Sequence, residues 1–322
     1  MPRRGGPGRP GSLSDVSAMT PFVTAFVTAA IVLALAGAWI LVALFKRPIA
    51  TARRIGRRQL GRAGLRRRTM PCPLGTLTWW SGGNGPTVVL LHGAGDTAGS
   101  WARVVRALVR RHHVVAPDLA GHGESSPAHG PLSLSQILEG LRFVLDSEAV
   151  GERVTLVGNS MGAWVALLFA LRSPQRVRLV VLENGTGIRG EGSPLELVPK
   201  TRTEAQDLAN RVLGAAARPL PGFVLDDMMR ELARGPVARL IESDWERFLL
   251  DGRLGEVAAP VDLVWGERDG VLPLPLAERT AAALRDARLH VIPGGGHVLH
   301  RDRAVDFIRT LQGVLEARGV RP

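Results

Sequence analysis

Val157-Gly158-Asn159-Ser160-Met161-Gly162 is the stretch that decides the fold. A short aliphatic and β-branched run at 153–157 precedes it and is typical of a buried strand, whereas the alanine- and leucine-rich run at 161–171 is typical of a helix. The two glycines remove side chains where strand and helix crowd together, which forces the serine into a strained, exposed position at the carboxyl edge of a sheet. The pattern predicts a nucleophile elbow with Ser160 at its tip. The alternative is that the glycines and the serine form an ordinary turn. The elbow is favoured over that alternative if the rest of the chain supplies a base, an acid that orients the base, and donors for an oxyanion.

The positive charge of the chain is confined to its amino-terminal part. The 322 residues have a net charge of +12, yet residues 1–70 contain 13 basic side chains and one acidic side chain, which leaves 28 of each sign in the remainder. A neutral globular part offers no basic face to a phosphate backbone, so nucleic acid is not an expected partner. The single Cys72 excludes an intramolecular disulfide framework and a multi-cysteine metal site. No nucleotide or metal motif occurs, so no cofactor is expected.

The first seventy residues predict a membrane anchor. Residues 1–20 have the composition of a disordered tail, and residues 21–45 contain no charged side chain over a length that spans a bilayer as a helix. The arginine-rich residues 46–70 suit a basic segment on an anionic leaflet, although a solvated linker explains them nearly as well. The greater positive charge after the apolar run places the carboxyl side in the cytoplasm. A cleaved signal peptide is the alternative, because residues 34–36 resemble a processing site.

Strands and helices alternate through residues 71–322, which predicts an α/β domain with a parallel sheet covered on both faces. Residues 74–81 and 87–91 are expected strands that flank a glycine-rich turn, which is a hairpin signal. From about 184 to 257 no convincing strand occurs, and amphipathic patterns predict a helical lid at the carboxyl edge of the sheet. The α/β pattern then resumes at residue 261.

A serine nucleophile needs a general base, for which histidine is the usual residue. His297 follows the last expected strand in a glycine-rich loop, at the same sheet edge as Ser160, and is the expected base. His300 is the nearest rival but is expected to be structural. The other histidines are less favourable: His112 and His113 lie at the opposite edge, and His122 and His129 lie in an expected surface loop.

The base in turn needs a carboxylate that fixes its tautomer. Asp269 is the expected acid, because it lies in the loop that closes the strand after the lid. Glu267 is closer to that strand, and Glu183 at the end of the preceding strand is a second alternative.

Two backbone amides are expected to bind the oxyanion. Leu90-Leu91-His92-Gly93-Ala94-Gly95 places a glycine-rich turn directly after a strand, so the amide of Ala94 points toward the same place as the amide of Met161 at the start of the elbow helix. Each such donor contributes about 3 kcal/mol to the transition state. His92 is expected to brace the loop.

Five motifs in this order resemble the α/β-hydrolase superfamily: LLHGAG (90–95), APDLAGHGESS (116–126), VGNSMG (157–162), WGERDGVLP (265–273) and IPGGGHVLH (292–300). The resemblance covers residues 74–318 and implies an eight-stranded, mostly parallel sheet with one antiparallel strand near its start. It also implies a triad of Ser160, Asp269 and His297 with esterase chemistry. Within the superfamily, the apolar span, basic run and lid pattern are similar to membrane-anchored monoacylglycerol lipases.

The expected function is therefore a membrane-anchored serine hydrolase that cleaves carboxylic esters, of which lipid-like acyl esters such as monoacylglycerols are the expected substrates, and that contacts membrane lipids; the sequence identifies no protein partner. Carbon–carbon bond hydrolysis, thioester hydrolysis and cofactor-free peroxidation use the same triad and remain alternatives. A non-catalytic receptor or scaffold is an alternative of another class.

Overall fold

The computed structural model describes residues 25–26, 28–38, 42, 45–148, 150–190, 194–214 and 218–321. The chain divides into two units, Met1–Pro48 and Ile49–Pro322. In the first unit, residues 28–38 are helical. None of the helices within the described ranges has both the length and the apolar character required to cross a bilayer. The expected tail at 1–20 and much of the expected membrane helix at 21–45 lie outside the described residues.

The second unit contains a sheet whose strands are β1 Arg66–Cys72, β2 Gly75–Gly82, β3 Thr87–Leu91, β4 His113–Pro117, β5 Val154–Asn159, β6 Val177–Glu183, β7 Val261–Gly266 and β8 Ala287–Ile292. Its α-helices are α1 Pro48–Arg62, α2 Ala102–Leu108, α3 Leu134–Ser147, α4 Met161–Arg172, α5 Arg202–Leu213, α6 Gly222–Arg234, α7 Pro236–Ile241, α8 Leu274–Ala283, α9 Leu299–Asp302 and α10 Ala304–Ala317; α1 begins at the boundary between the units.

The sheet has the strand order β1-β2-β4-β3-β5-β6-β7-β8. Strand β2 runs antiparallel to both of its neighbours, and each neighbouring pair from β4 to β8 is parallel. The expected eight-stranded, mostly parallel sheet with one antiparallel strand is therefore confirmed. The carboxyl ends of β3, β5, β6, β7 and β8 meet at one edge, which is where ligands bind in open α/β sheets.

The first hairpin lies earlier in the chain than the sequence predicts. Strands β1 and β2 pair from Arg66 opposite Ser81 to Cys72 opposite Gly75, and Gly75 has φ +112° in the turn. Strand β2 then pairs with β4 and not with β3. The prediction of a hairpin between 74–81 and 87–91 is therefore wrong. The glycine-rich turn at 82–86 does reverse the chain, but both edges of β2 are occupied by β1 and β4.

The folded unit also begins before residue 71, the expected start of the domain. It starts at Ile49 with most of α1, followed by the edge strand β1. Strand β1 keeps its arginines in solvent while its backbone pairs with β2, an arrangement that is common at sheet edges. In α1, Leu60 is completely buried. Segment 46–70 is thus largely part of the hydrolase-like unit, because a basic sequence can form an edge strand and a half-buried helix.

Two apolar layers cover the sheet. Alternating side chains of β3 point to opposite layers: Val89 and Leu91 pack with α3, α4 and α8, whereas Val88 and Leu90 pack with α1, α2 and α10. This alternation follows from the two-residue period of a strand. The sheet is therefore packed on both faces beneath its carboxyl edge.

The insertion between β6 and β7 contains helices α5, α6 and α7, and its described residues include no strand. Helix α5 begins after Thr201, whose side-chain oxygen accepts a hydrogen bond from Glu204 N at 3.2 Å. The Thr201 oxygen thus supplies an acceptor for one of the N–H donors that a helix amino terminus leaves unsatisfied. Helices α5, α6 and α7 lie within the segment 184–257, for which the sequence predicts a helical lid.

Candidate active site

The elbow joins β5 to α4 with Ser160 alone between them. Ser160 has φ 52° and ψ −117°, a strained conformation for a residue with a side chain, and its amide donates to Glu183 O at 3.0 Å. A Cβ at Gly162 would lie 2.2 Å from Leu91 O. A Cβ at Gly158 would lie 2.3 Å from Gly162 O. No side chain fits at either glycine, so crowding between β3, β5 and α4 fixes the serine at the turn.

Asp269 and His297 form a hydrogen-bonded pair in the loops after β7 and β8. His297 Nδ1 lies 2.8 Å from Asp269 Oδ2, and the two side chains are 8% and 0% exposed. Asp269 Oδ1 accepts the amides of Val271 at 2.8 Å and Leu272 at 2.9 Å, which orients the carboxylate. A carboxylate at Nδ1 keeps the proton on that nitrogen, so Nε2 is the basic atom of a neutral His297.

Two asparagines hold the histidine loop beside the elbow. Asn159, which precedes Ser160, donates through Nδ2 to His297 O at 3.0 Å. Asn184, with φ 44°, donates to Gly296 O at 2.9 Å and accepts the amide of the last residue of β7 at 2.7 Å. The Ser160 hydroxyl makes no hydrogen bond to another described residue. The hydrogen bond between a catalytic serine and its base often forms or shortens only when substrate binds.

Helix α5 of the insertion is bonded directly to both triad loops. His297 N donates to Val212 O at 2.7 Å. Arg211 and Gly270 are joined twice: Gly270 N donates to Arg211 O at 3.0 Å, and Arg211 Nε donates to Gly270 O at 2.9 Å. Gly270 follows Asp269, so the last turn of α5 supports the acid and the base together. This helix is therefore structural support for the site as well as a cover.

The loop after β3 is braced by His92. His92 Nε2 accepts the amide of Leu119 at 3.0 Å, so the proton must reside on Nδ1, which donates to Gly93 O at 2.8 Å. Asp96 N also donates to Gly93 O, at 3.1 Å. These bonds fix the peptide plane that carries the amide of Ala94, the expected oxyanion donor. The bracing role predicted for His92 agrees with this geometry.

His122 lies beneath this loop, so its prediction as a surface residue is wrong. It is 1% exposed, and its ring centroid lies 5.1 Å from that of His92. The loop that carries it is held against β2, because Ser125 Oγ accepts the amide of Thr78 at 2.9 Å. Burial lowers the pKa of His122 well below its ordinary value and also lowers the pKa of His92, although nearby carboxylates oppose the shift at His92.

The alternative acids have other partners. Glu183 Oε2 lies 2.8 Å from His300 Nδ1, and both side chains are completely buried. Glu267 accepts the amide of Gly294 at 2.8 Å. The structure therefore pairs His297 with Asp269 and not with either glutamate.

Ser160 opens into a cavity of about 390 Å³ that Ala94 and Met161 also border. The rest of its wall is mostly apolar and includes Trp164, Ile188, Leu240, Trp245 and Leu272. The two expected oxyanion donors and the expected nucleophile thus meet at one space large enough for a small organic molecule.

Sequence reasoning missed the supports of the site, Asn184, Arg211 and Val212. Asn184 had a detectable signal, since asparagine is enriched in left-handed conformations and this one directly follows a buried strand. Nothing local marks Arg211 or Val212, because their role comes from the way the insertion folds back on the triad loops.

The chain belongs to the alpha/beta hydrolase family, whose model matches residues 88–310. This agrees with the resemblance carried by the five motifs.

Among its relatives is a 2-hydroxy-6-oxononadienedioate/2-hydroxy-6-oxononatrienedioate hydrolase of Paraburkholderia xenovorans, 32% identical over 71% of this chain and 86% of the relative. Monoacylglycerol lipase abhd6-B of Xenopus laevis is 26% identical over 71% of this chain and 77% of the relative. A crystal structure described as a membrane phospholipase A, a bacterial virulence factor, is 26% identical with a TM-score of 0.74, over 92% of this chain and 99% of that chain. The chain is thus similar to hydrolases of esters and of other bonds.

Proposed function

We propose that this protein is a membrane-anchored serine hydrolase that cleaves carboxylic esters with an apolar acyl chain, such as monoacylglycerols. The observation that carries the proposal is the meeting of Ser160 with an apolar cavity, beside an oriented Asp269–His297 pair.

In the proposed reaction, Ser160 Oγ attacks the ester carbonyl carbon while His297 Nε2 takes the hydroxyl proton. The amides of Ala94 and Met161 bind the oxyanion that forms. His297 then gives the proton to the leaving alcohol, which departs and leaves an acyl-serine. Water attacks the acyl-serine, with His297 as base, and releases the carboxylic acid. Asp269 stabilises the imidazolium in both halves of the cycle.

The charges at the cavity support an uncharged acyl chain. Two arginines border the cavity, and each faces a carboxylate: Arg189 lies 3.4 Å from Glu246, and Arg211 lies 2.7 Å from Glu196. The paired charges largely offset one another, so the wall attracts apolar groups more strongly than anions.

Hydrolysis of a dicarboxylate is the second candidate, suggested by the named substrate of the Paraburkholderia relative. Arg189 and Arg211 at the cavity are the observation that favours it. Binding a dianion would require each arginine to exchange its glutamate for substrate, which makes this reaction the less favoured of the two.

The membrane anchor is supported by the uncharged residues 21–45, by the basic residues after them, and by the similarity to a protein described as a membrane phospholipase A. We place the catalytic unit on the cytoplasmic side, where the arginine-rich flank is favoured. Alkaline carbonate extraction of cell membranes is expected to leave the protein in the pellet. Quantitative release into the supernatant would contradict the anchor.

A panel of p-nitrophenyl esters from acetyl to palmitoyl tests the activity, with the Ser160→Ala variant as control. We expect kcat/KM to rise at least tenfold from the acetyl ester to medium-chain esters, because each buried methylene contributes about 0.8 kcal/mol. The control should show no turnover above background. A preference for the acetyl ester would contradict the apolar-chain assignment, and turnover by Ser160→Ala would contradict the mechanism.

A further inference from the structure

Arg53 connects three parts of the molecule that are far apart in sequence. It belongs to α1, the helix that follows the apolar segment. Its Nη1 lies 2.5 Å from Glu231 Oε2 on α6 of the insertion, and its Nη2 donates to Gly95 O at 2.7 Å. Gly95 is the neighbour of Ala94, the proposed oxyanion donor. A single guanidinium thus bonds both helix α6 of the lid and residues 93–96, here called the oxyanion loop.

The helix that carries Arg53 is held firmly in place. At its amino end, Ile49 N donates to Asp227 Oδ2 of α6 at 3.0 Å, and Asp227 is 2% exposed. One turn after Arg53, a Cβ at Gly56 would lie 2.7 Å from Gly99 O, which shows how closely the two backbones approach. Because the backbone of α1 is fixed on both sides of it, Arg53 is presented at a defined place and little conformational entropy opposes its two bonds.

The oxyanion loop needs this bond at Gly95. Residues 93–96 form a turn closed by Asp96 N donating to Gly93 O, with Gly95 at φ +75°. His92 and Asp96 fix the carbonyl before Ala94, and Arg53 fixes the carbonyl of Gly95 after it. The flexible glycine is thereby restrained from both sides, as an oxyanion donor must be preorganised before charge develops.

The arginines of α1 differ in their surroundings. Arg53 is partly buried at the lid, whereas Arg54 and Arg58 are exposed. The arginine-rich segment, which in the sequence suggests a membrane surface, therefore includes Arg53, which contacts helix α6 and the oxyanion loop.

We propose that Arg53 is a positioning residue for ester hydrolysis: it holds the Gly95 carbonyl, and with it the amide of Ala94, while it ties α6 to the oxyanion loop. This rests on the proposed function. A planar guanidinium donates to two acceptors in a fixed fork, which the single ammonium of lysine does not reproduce.

The test uses the full chain in detergent micelles with p-nitrophenyl butyrate and a trifluoromethyl ketone, which forms a tetrahedral adduct with an oxyanion. We expect Arg53→Met to lower kcat about tenfold with KM changed less than twofold. The affinity of this variant for the ketone should fall in parallel with kcat/KM. Arg53→Lys should lie between Arg53→Met and wild type. Arg54→Met, on the exposed side of the same helix, should match wild type.

Wild-type kcat and wild-type ketone affinity in a folded Arg53→Met variant would overturn the proposal, as would an equal loss in Arg54→Met. If Arg53→Met melts below the assay temperature, Arg53→Lys decides: a kcat about threefold lower at an unchanged melting temperature supports the role, and wild-type kcat contradicts it. A wild-type chain that turns over no ester and binds no ketone would overturn the proposed function and this inference together. An active wild type with an unaffected Arg53→Met would overturn the inference alone.

Discussion

Two histidines follow β8 three residues apart, His297 and His300; each is paired with a carboxylate from another part of the chain, and the surroundings of the two pairs differ. His297 and Asp269 meet at 2.8 Å in loops beside the elbow, and His300 and Glu183 meet at the same distance with both side chains completely buried. The ring of His300 stacks on Trp101 with centroids 4.0 Å apart, and its Nε2 has no partner among the described residues. The same chemical pair can therefore stabilise a core or, as we propose for His297 and Asp269, serve a reaction. What separates the two is whether the second ring nitrogen has access to a reacting atom.

Replacement of each histidine by alanine should separate the pairs most strongly. We expect His297→Ala to lower kcat for p-nitrophenyl butyrate about 10⁴-fold, because a triad without its base keeps only binding and oxyanion stabilisation. His300→Ala, assayed below its melting temperature, should lose far less. Steady-state kinetics on both purified variants checks this, and equal losses would mean that the pairs have not been assigned correctly.

Stability should respond in the opposite sense. His300→Ala removes the imidazole that faces the buried Glu183 and leaves that carboxylate the backbone amide of residue 300, and we expect the free energy of unfolding to fall by about 3–5 kcal/mol. The double variant Glu183→Leu/His300→Leu removes both polar groups and should lose less than the single variant. Urea denaturation followed by circular dichroism measures both. A single variant as stable as wild type would show that the pair contributes nothing to the core.

A smaller effect concerns His92 and His122, which are buried without a carboxylate bonded to the ring. Burial lowers the pKa of both below 6.5, so the unfolded chain binds more protons than the native protein just below that pH. Their contribution to stability is present in full above pH 6.5 and declines as pH falls.

We therefore expect the urea midpoint to fall between pH 7.5 and pH 5.5, and His122→Asn to reduce that fall. An unchanged pH dependence in His122→Asn would contradict the burial argument. His129, which is exposed, offers a matched control in His129→Asn.

The sequence was informative where function and strand order coincide. Ser160, Asp269 and His297 each follow a strand, and parallel strands bring their carboxyl ends to one edge, so their neighbourhood follows from the alternation of elements. His122 could not be placed in this way, because a loop rich in glycine and serine is typical of a surface. The burial of His122 depends on the hydrogen bonds that hold this loop against β2, such as that between Ser125 and Thr78.

Arg53 and Arg211 were also beyond local reasoning. The partners of Arg53 are Gly95, 42 residues away in the sequence, and Glu231, 178 residues away. Gly270, the partner of Arg211 in the acid loop, lies 59 residues away. Contacts at that separation depend on how the insertion and α1 return to the sheet edge, which neither propensity nor motif specifies.

The most direct test of the central claim is to label the protein with a fluorophosphonate and locate the adduct by peptide mass spectrometry. We expect one adduct, on Ser160, in wild type, none in Ser160→Ala and little in His297→Ala. An adduct on another residue, or equal labelling of wild type and Ser160→Ala, would contradict it.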